Sequence, residues 1–456
     1  MVVFGESGSG KTLSILVQLV ESVLKTAADP EIKHLAPAMI IGDVKNELEP
    51  YITRFIREHH LGYRIVRARP GCCFRLWAHE GINVTRDPAA TIKAILDLGP
   101  KIELPNNDPY WVREGLGVIE DFLRVELQSL GTLERVREFR AALASAVAQA
   151  MRHKEEKAAY ALRLGYDSNN YLQAYLHLVQ LAIQMHSENR GRETVGSDGS
   201  APVGVDPVLN AYVAVCRQFN VPRELTARIE AKAQTYDSGF QGVMNITMSM
   251  LMELCNRDFV EHISTCPWEP PLHYLSIQKI MDGGKVLILG TRDETRFEFA
   301  CVKLATQLLT RLTYQKSSRR RPTILIADEA HRIVDPGITD LVDRGRSFRT
   351  WVVLATQSLS SLQRQLEDAK RINAADDLLN KVGTIFWLRS KDPLAHDYLA
   401  RTLPIGDAAL GHIAAVRPVS SFRTGETLVM RSDGSFSIAQ CDLDAPSLAV
   451  CAPQMA

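Results

Sequence analysis

The sequence has no excess of charge of either sign: its 456 residues include 53 Lys and Arg and 53 Asp and Glu. A strongly basic or acidic chain would favour nucleic acid, membrane surfaces or acidic partners, and the overall composition indicates none of them. A local basic patch can still bind DNA on a neutral protein. The length suffices for two or three domains with substantial cores, so the function must be sought in local motifs.

Cysteine motifs are also missing, because the eight cysteines are scattered and form no C-x-x-C pair. This spacing argues against the common structural zinc sites and provides no disulfide framework. We interpret the cysteines as reduced thiols and expect a cytoplasmic protein.

Long hydrophobic runs are absent as well. No stretch reaches the roughly 18 apolar residues that a membrane-spanning helix needs. A secretory signal does not fit either, because a glycine-rich motif already begins at residue 5. We therefore predict no membrane segment in this chain. The position of the motif also leads us to expect that anything preceding the first strand is missing here or supplied by another chain.

The most specific motif is Gly5-Glu6-Ser7-Gly8-Ser9-Gly10-Lys11-Thr12, which fits the pattern G-x-x-x-x-G-K-[ST]. A short apolar stretch precedes it, and a run compatible with a helix follows. In that context the backbone N–H groups of the loop surround phosphate oxygens at the positive end of a helix. All eight residues are candidates for binding a nucleoside triphosphate. Lys11 is expected at the β- and γ-phosphates, and the Thr12 hydroxyl at Mg²⁺.

Continuous apolar segments predict buried strands of a mainly parallel sheet covered by helices. They are Met1–Phe4, Pro37–Asp43, Tyr63–Val66, Val286–Leu289, Thr323–Ala327, Trp351–Ala355 and Val382–Leu388, with a helix at Phe297–Tyr314 and a terminal hairpin from Thr427.

Helical spacing dominates from about residue 86 to 265. It predicts helices at Val118–Leu130, Thr132–Arg163 and Tyr171–His186, and composition predicts a flexible loop at Ser187–Asp206. We therefore predict an α/β nucleotide-binding domain formed by residues 1–85 and 266–456, interrupted by an all-helical insertion domain of residues 86–265.

Two carboxylates, Asp328 and Glu329, directly follow the predicted strand Thr323–Ala327. In P-loop ATPases the first such carboxylate holds the Mg²⁺ shell, and the second can polarise the attacking water. We therefore expect Asp328 on the metal side and Glu329 as the catalytic base. An acidic residue here could instead cap the following helix.

Three further features refine the site. Gln357 follows the next strand and is expected near the γ-phosphate as a sensor or water-positioning group. Arg346 precedes that strand; a guanidinium that reaches a neighbouring subunit can stabilise transition-state charge, and ordinary solvated charge is the alternative. The segment Asp43–Leu48 could contact the nucleotide side, but helix capping is the favoured interpretation.

Together these segments resemble the FtsK/HerA superfamily of hexameric ATPases, and more narrowly the TraG/TraD-like coupling ATPases of type IV secretion and conjugation. The matching stretches are GESGSGKT, GDVKNEL, LIADEAHRIVD, GRSFRTWVVLATQSLSSL and RTGETLVMRSDG. The spacing from Arg346 to Gln357 also matches the family's arginine-finger-to-glutamine spacing. The chain departs from the family in having no membrane helices before the first motif, and in Asn46 where a glycine is frequent.

The resemblance implies a RecA-like fold and an ATP- and Mg²⁺-dependent motor that moves DNA, without sequence preference, through a homo-oligomer expected to be a hexamer. It also implies contact with a relaxase or with type IV secretion components. It places the protein in the cytoplasm, with attachment to the inner face of the membrane through partners or an N-terminal anchor outside this sequence.

Two other functional hypotheses stay open. One is a HerA-like translocase in DNA-end processing or phage defence, and the other is an ATP-dependent adaptor that recruits protein cargo to a secretion channel. The candidate cations for a DNA channel are Lys316–Arg321, or Arg389 and Lys391. For Lys316–Arg321, a solvated basic loop is the simpler interpretation.

Overall fold

The computed structural model describes residues 1–61, 65–67, 73–75, 109–150, 172–193, 206–234, 238–255, 263–264, 274–290, 302, 305–306, 309–310, 312–313, 321–334, 338–366, 374–402 and 419–440. The chain divides into two compact units. One comprises Met1–Ala68 with Ser276–Ala456, and the other comprises Arg69–Leu275.

Twelve strands are described. In chain order they are β1 Val2–Phe4, β2 Ala38–Asp43, β3 Ile65–Arg67, β4 Cys73–Arg75, β5 Ile263–Ser264, β6 Tyr274–Leu275, β7 Val286–Gly290, β8 Thr323–Ala327, β9 Thr350–Thr356, β10 Thr384–Trp387, β11 Glu426–Arg431 and β12 Phe436–Gln440.

The first unit contains a nine-stranded sheet in the order β12-β11-β10-β1-β9-β8-β2-β7-β3. The seven strands from β10 to β3 run parallel, whereas β11 and β12 add an antiparallel hairpin at one side. Val2 pairs with Leu354 on one side and Ile385 on the other, so β1 has a neighbour on each side. The predicted α/β class, with a mainly parallel sheet and a terminal hairpin, is confirmed.

Helices in this unit follow the strands at short intervals. The α-helices are Gln18–Ala28, Leu48–Glu58, Ile277–Gly283, Ala330–Ile333, Ile338–Arg344, Leu359–Leu366, Ala374–Lys381 and Pro393–Thr402; Lys11–Val17 is a π-helix, and Lys33–Leu35, Gly345–Phe348 and Val419–Ser421 are 3₁₀ turns. Most of the helix predicted at Phe297–Tyr314 lies outside the described residues, and those described between 302 and 313 are helical.

Part of the core of this unit lies against one face of the sheet. Val3, Ile41 and Ile326 point to that face from neighbouring strands, and Leu16 and Leu24 pack on them from the first helices. Each such large side chain contributes about 1.5–3 kcal/mol when fully buried. Because these strands are hydrophobic along their length, the carboxyl ends of β1, β8 and β9 are held in fixed positions beside one another.

The second unit is mainly helical. Its α-helices are Pro109–Arg124, Leu133–Ala150, Gln173–Glu193, Pro207–Gln218, Arg223–Gln234 and Ser238–Leu254, with a π-helix at Val125–Leu130. A small parallel sheet in the order β5-β4-β6 also belongs to this unit, and β5 falls inside the range predicted to be wholly helical.

The loop predicted at Ser187–Asp206 differs from the structure at its start. Ser187 to Glu193 continue the helix from Gln173. Six of these seven residues are polar and lower helix propensity only slightly, whereas Gly191 costs about 1 kcal/mol relative to alanine. At its end, Asp206 caps the helix Pro207–Gln218, and its side chain accepts hydrogen bonds from the backbone N–H groups of Val208 and Leu209. Residues 194–205 lie outside the described part of the chain, as do residues 151–163 of the helix predicted at Thr132–Arg163.

Within the described residues, no helix combines the length and the apolar character that crossing a membrane requires.

Candidate active site

The glycine-rich loop begins where β1 ends, and the two strands beside β1 hold it. The backbone N–H of Gly5 donates to the Thr356 carbonyl at 3.2 Å, and that of Glu6 donates to the Arg389 carbonyl at 2.9 Å. The Glu6 carboxylate also pairs with the Arg389 guanidinium at 2.5 Å. Arg389, a candidate channel cation in the sequence, is therefore bound to the loop itself.

The backbone of the loop requires glycine at specific positions. Gly8 has φ +76° and Gly10 has φ +94°, a region that side chains with a Cβ rarely adopt. A Cβ on Gly10 would lie 2.8 Å from Ser14 Oγ and 3.2 Å from the backbone N of Gly425. Since the loop lacks side chains here, its backbone N–H groups stay accessible to phosphate oxygens.

Lys11 crosses the loop as a nearly buried cation. Its side chain is 6% exposed, and its Nζ donates to the Gly5 carbonyl at 2.6 Å. Burial lowers the pKa of Lys11, although the negative charges of Glu329 and Asp328 act in the opposite direction. Thr12 beside it is 9% exposed, so its hydroxyl lies at the same recessed place. Ser7 is exposed at the outer turn of the loop.

Asp328 lies at the carboxyl end of β8 and is 1% exposed. Its Oδ1 accepts a hydrogen bond from the Glu329 N–H at 3.1 Å, and Oδ2 has no hydrogen-bond partner among the described residues. Burial, with the nearby charges of Asp43 and Glu329, raises the pKa of Asp328 to about 7. A buried carboxylate oxygen of this kind fits a role as ligand to a cation, because a cation would stabilise its ionised form.

Among the described residues, no group of three His, Cys, Asp or Glu side chains could hold a metal ion by itself. Magnesium in a phosphate-loop site does not require such a group, because phosphate oxygens and water supply most of its ligands. The Thr12 hydroxyl and the Asp328 carboxylate fit the remaining contribution from the protein.

Glu329 follows Asp328 and is likewise 1% exposed. Its backbone has φ +52°, uncommon for a residue with a side chain. Its Oε1 accepts hydrogen bonds from Gln357 Nε2 at 3.0 Å and from Lys45 Nζ at 2.7 Å. Burial by itself would raise the pKa of Glu329, but the bonds from Lys45 and Gln357 and the charges of Lys45 and Lys11 bring it below its ordinary value. The carboxylate is thus kept ionised and oriented.

Two contacts of the base were not foreseen in the sequence. Lys45 belongs to the segment after β2, and its ammonium forms the ion pair with Glu329. The His331 ring places Nδ1 3.1 Å from Thr356 Oγ1 and 3.5 Å from Glu329 Oε2. Both residues stand within sequence stretches already singled out, but no local pattern specifies their side-chain partners.

Asp43 is buried and caps the helix Leu48–Glu58. Its carboxylate accepts hydrogen bonds from the backbone N–H groups of Glu47, Leu48 and Glu49 at 3.0, 3.0 and 2.8 Å. Burial raises the pKa of Asp43 to about 6, against the lowering effect of these bonds. The capping interpretation of Asp43–Leu48 therefore agrees with the structure.

The terminal hairpin also contacts the loop. Gly425 N donates to the Ser9 carbonyl at 3.1 Å, and the Thr424 hydroxyl donates to the Gly8 carbonyl at 3.5 Å. The outer part of the loop is thus attached to the turn that precedes β11.

Arg346 lies far from these residues within one chain. It is exposed in the turn Gly345–Phe348, before the first residue of β9, whereas Gln357 directly follows the last. At about 3.3 Å per residue, β9 puts roughly 20 Å between the two ends. Lys11, Asp328, Glu329 and Gln357 therefore lie together at the carboxyl ends of the parallel strands. Arg346 lies at the opposite side of the sheet, where the amino end of β9 is.

Of the other candidate channel cations, Arg321 donates to the carbonyls of Lys33 and Ala36 at 3.3 Å each, and Lys391 is exposed. Residues 316–320 lie outside the described part of the chain.

No protein-family model matches the sequence, and neither does any curated protein. Solved structures do match this chain at low sequence identity. The bacterial conjugative coupling protein TrwB, in a trigonal form with sulphate, has a TM-score of 0.55 and 13% identity over 97% of this chain and 85% of its own. TrwB in complex with ADP and Mg²⁺ has a TM-score of 0.43 and 10% identity, covering 90% of this chain and 86% of its own. VirB4 of Thermoanaerobacter pseudethanolicus has a TM-score of 0.38 and 12% identity, covering 98% and 90%.

Of these three, the likeness with a TM-score of 0.55 shows a shared fold. The predicted resemblance to the coupling ATPases is confirmed at the level of the fold.

Proposed function

We propose that this chain is an ATP-hydrolysing motor of the coupling-protein type, which moves DNA through a ring of identical subunits. The observation that carries the ATPase part is the Glu329 carboxylate, buried, ionised and oriented by Gln357 at the sheet edge where the phosphate loop also lies. A loop for phosphates, a buried carboxylate for a cation and an oriented base are the parts that hydrolysis of a nucleoside triphosphate requires.

In this proposal the loop N–H groups and Lys11 hold the β- and γ-phosphates of ATP. Thr12 and Asp328 would hold Mg²⁺, which when bound neutralises charge on the phosphate oxygens. Glu329 accepts a proton from water as the water oxygen bonds to the γ-phosphorus and the bond to the β–γ bridging oxygen breaks. The products are ADP and inorganic phosphate. Gln357 orients Glu329 and the attacking water through its amide.

A neighbouring subunit completes the site in this proposal. Arg346 cannot approach the phosphates of its own chain across roughly 20 Å of β9, but an exposed arginine at the opposite edge suits a site in the next subunit. Phe348 and Trp351 beside it are each 44% exposed. Exposed aromatic residues around an arginine are typical of protein interfaces. Repetition of this contact around an axis generates a ring, and the resemblance favours six subunits.

The DNA part rests on the resemblance of the motifs and on the fold shared with a conjugative coupling protein. Conjugative DNA transfer would require type IV secretion components and a relaxase as partners. A translocase in DNA-end processing or defence would use the same site chemistry. An adaptor for protein cargo would not need DNA to stimulate hydrolysis, and this difference makes it testable.

The test is steady-state ATP hydrolysis measured with and without DNA. We expect stimulation by DNA of any sequence, weakened by salt because phosphate contacts dominate such binding. The variants Lys11→Ala and Glu329→Gln should each abolish turnover, whereas the surface variants Lys25→Ala and Glu31→Gln should retain it. Normal hydrolysis by Glu329→Gln would show that the base is assigned wrongly. Hydrolysis without DNA stimulation, together with tight binding of a protein cargo by the second unit, would favour the adaptor.

A further inference from the structure

An open groove of about 600 Å³ lies beyond the carboxyl end of β2 in the first unit. Three arginines, Arg54, Arg57 and Arg67, line it together with Asn46, Glu49 and Thr53. None of these residues has a role in the proposed hydrolysis, so the groove requires its own explanation.

The groove is formed by the polar face of the helix Leu48–Glu58. The other face of this helix is buried in the core through Leu48, Tyr51, Ile52, Phe55 and Ile56. Thr53, Arg54 and Arg57 stand three or four residues apart, a spacing that brings side chains together on one side of a helix. The two helical arginines therefore face the same space.

Arg67 completes the groove from β3, at the end of the described sheet. Its Nε donates to Glu49 Oε1 at 2.6 Å, and its Nη2 donates to Thr53 Oγ1 at 2.7 Å. These bonds fix the guanidinium, which is 26% exposed. An arginine already ordered in this way loses little further side-chain entropy when it binds a ligand.

The charge of the groove is positive. Three arginines face one lining carboxylate, Glu49, and Glu58 pairs with Arg54 at 2.8 Å outside the lining. Within the described residues Arg57 forms no ion pair. Guanidinium groups match the oxygens of phosphate, which they bind through paired hydrogen bonds. The groove is much larger than one phosphate, and its open form suits a chain of phosphates that runs along it.

We propose that this groove binds the phosphodiester backbone of a DNA strand. The inference rests on the proposed function and adds the protein surface where DNA is held. Asn46, at the wall of the groove, directly follows Lys45, whose ammonium contacts the catalytic base. DNA in the groove therefore lies beside the segment that positions Glu329.

The test measures binding of a fluorescein-labelled DNA oligonucleotide by anisotropy over a series of KCl concentrations. The variants are Arg57→Ala and the double variant Arg54→Ala/Arg57→Ala, with Lys25→Ala on another helix as the charge-matched control. Each lost phosphate contact should reduce the slope of log K against log salt by about one. We therefore expect a reduction by about one for the single variant, about two for the double variant and none for Lys25→Ala. DNA-independent ATP hydrolysis should stay unchanged in Arg57→Ala, which verifies its fold.

Two results would overturn the inference. In one, wild-type protein binds DNA and is stimulated by it, but the arginine variants keep the wild-type affinity and salt slope. This result would support the proposed DNA motor and refute the assignment of the groove. In the other, inorganic phosphate at constant ionic strength binds to the wild-type protein but not to Arg57→Ala, while both bind DNA equally, which assigns the groove to a free anion. If the wild-type protein neither binds DNA nor responds to it, the proposed DNA motor itself fails.

Discussion

Lys45 Nζ lies 2.7 Å from Glu329 Oε1, so a lysine from the segment after β2 holds the carboxylate that we assign as the catalytic base. Glu329 is almost fully buried, whereas the Lys45 side chain is 29% exposed. The pair thus connects the buried site to the protein surface. Removing the ammonium should change the basicity of Glu329 as well as its orientation.

We expect Lys45→Met to move the acid limb of the pH–rate profile to higher pH. Lys45 contributes to the lowered pKa of Glu329, and the base works only while ionised, so activity is lost as the pH falls through that pKa. Without Lys45 the pKa rises, and the loss begins at a higher pH. The measurement is kcat for ATP hydrolysis against pH. Lys45→Arg should keep the wild-type limb, and an unmoved limb in Lys45→Met would contradict the electrostatic role.

The stability of the protein should fall with pH because of Asp328. Its folded pKa of about 7 exceeds the roughly 3.9 of an unfolded aspartate. Between these values the folded state holds a proton that the unfolded state has released, so the unfolding free energy decreases as the pH rises and levels off above the folded pKa. Asp328→Asn should remove the contribution of Asp328 to this slope and stabilise the ligand-free protein above neutral pH by an amount on the order of a few kcal/mol.

Urea unfolding of wild type and Asp328→Asn at about pH 4 and about pH 8 checks this expectation. The exposed Asp397→Asn serves as the control, because an exposed carboxylate changes its solvation little on folding. A stability difference between wild type and Asp328→Asn that is the same at both pH values would refute the buried, protonated state of Asp328.

Mixed subunits can test whether Arg346 acts across an interface. Arg346→Ala and Lys11→Ala should each be inactive alone, with a loss for Arg346→Ala in the range of about 10³–10⁵ in rate. A mixture contains interfaces at which an intact Lys11 meets an intact Arg346, so part of the activity should return. Arg344→Ala, an exposed arginine two residues earlier, should stay active. No recovery on mixing would place Arg346 outside the site of its neighbour.

The buried ion pair between Glu126 and Arg140 should make a large contribution to the stability of the second unit. Arg140 Nε and Nη2 donate to the two oxygens of Glu126 at 2.7 and 2.8 Å, and both side chains are buried. Glu126→Ala removes the counter-charge of a buried guanidinium, and such a loss typically costs about 3–5 kcal/mol. The partly exposed pair of Glu120 and Arg124 offers a control, since such pairs contribute roughly 0–1 kcal/mol. Equal urea midpoints for Glu126→Ala and Glu120→Ala would disagree with this account.

The strands around the site could be predicted from the sequence because they are continuous apolar segments that end in polar residues. For β8 and β9 this pattern gives the strand and also places Asp328, Glu329 and Gln357, since parallel neighbours end at the same edge. The separation of Arg346 from Gln357 follows from the same strand direction. These features follow from the order of residues along each strand, and therefore they can be predicted from a single sequence.

The contacts of the base with Lys45 and His331 could not be predicted, since they depend on how distant segments meet. Lys45 reaches Glu329 only because β2 pairs with β8, and Arg389 reaches Glu6 because β10 pairs with β1. The helical residues Ser187–Glu193 were missed for a different reason: weak local preferences yield to continuation of an existing helix.

The place of β1 in the sheet has a consequence for synthesis. Val2 pairs with Leu354 and Ile385, and Ser9 is bonded to Gly425. The residues of the phosphate loop leave the ribosome long before the strands and the hairpin turn that hold them. All residues up to about Gly425 must therefore emerge before the complete nucleotide site can form, so nascent and prematurely terminated chains that end before β9 should be unable to bind ATP through this loop.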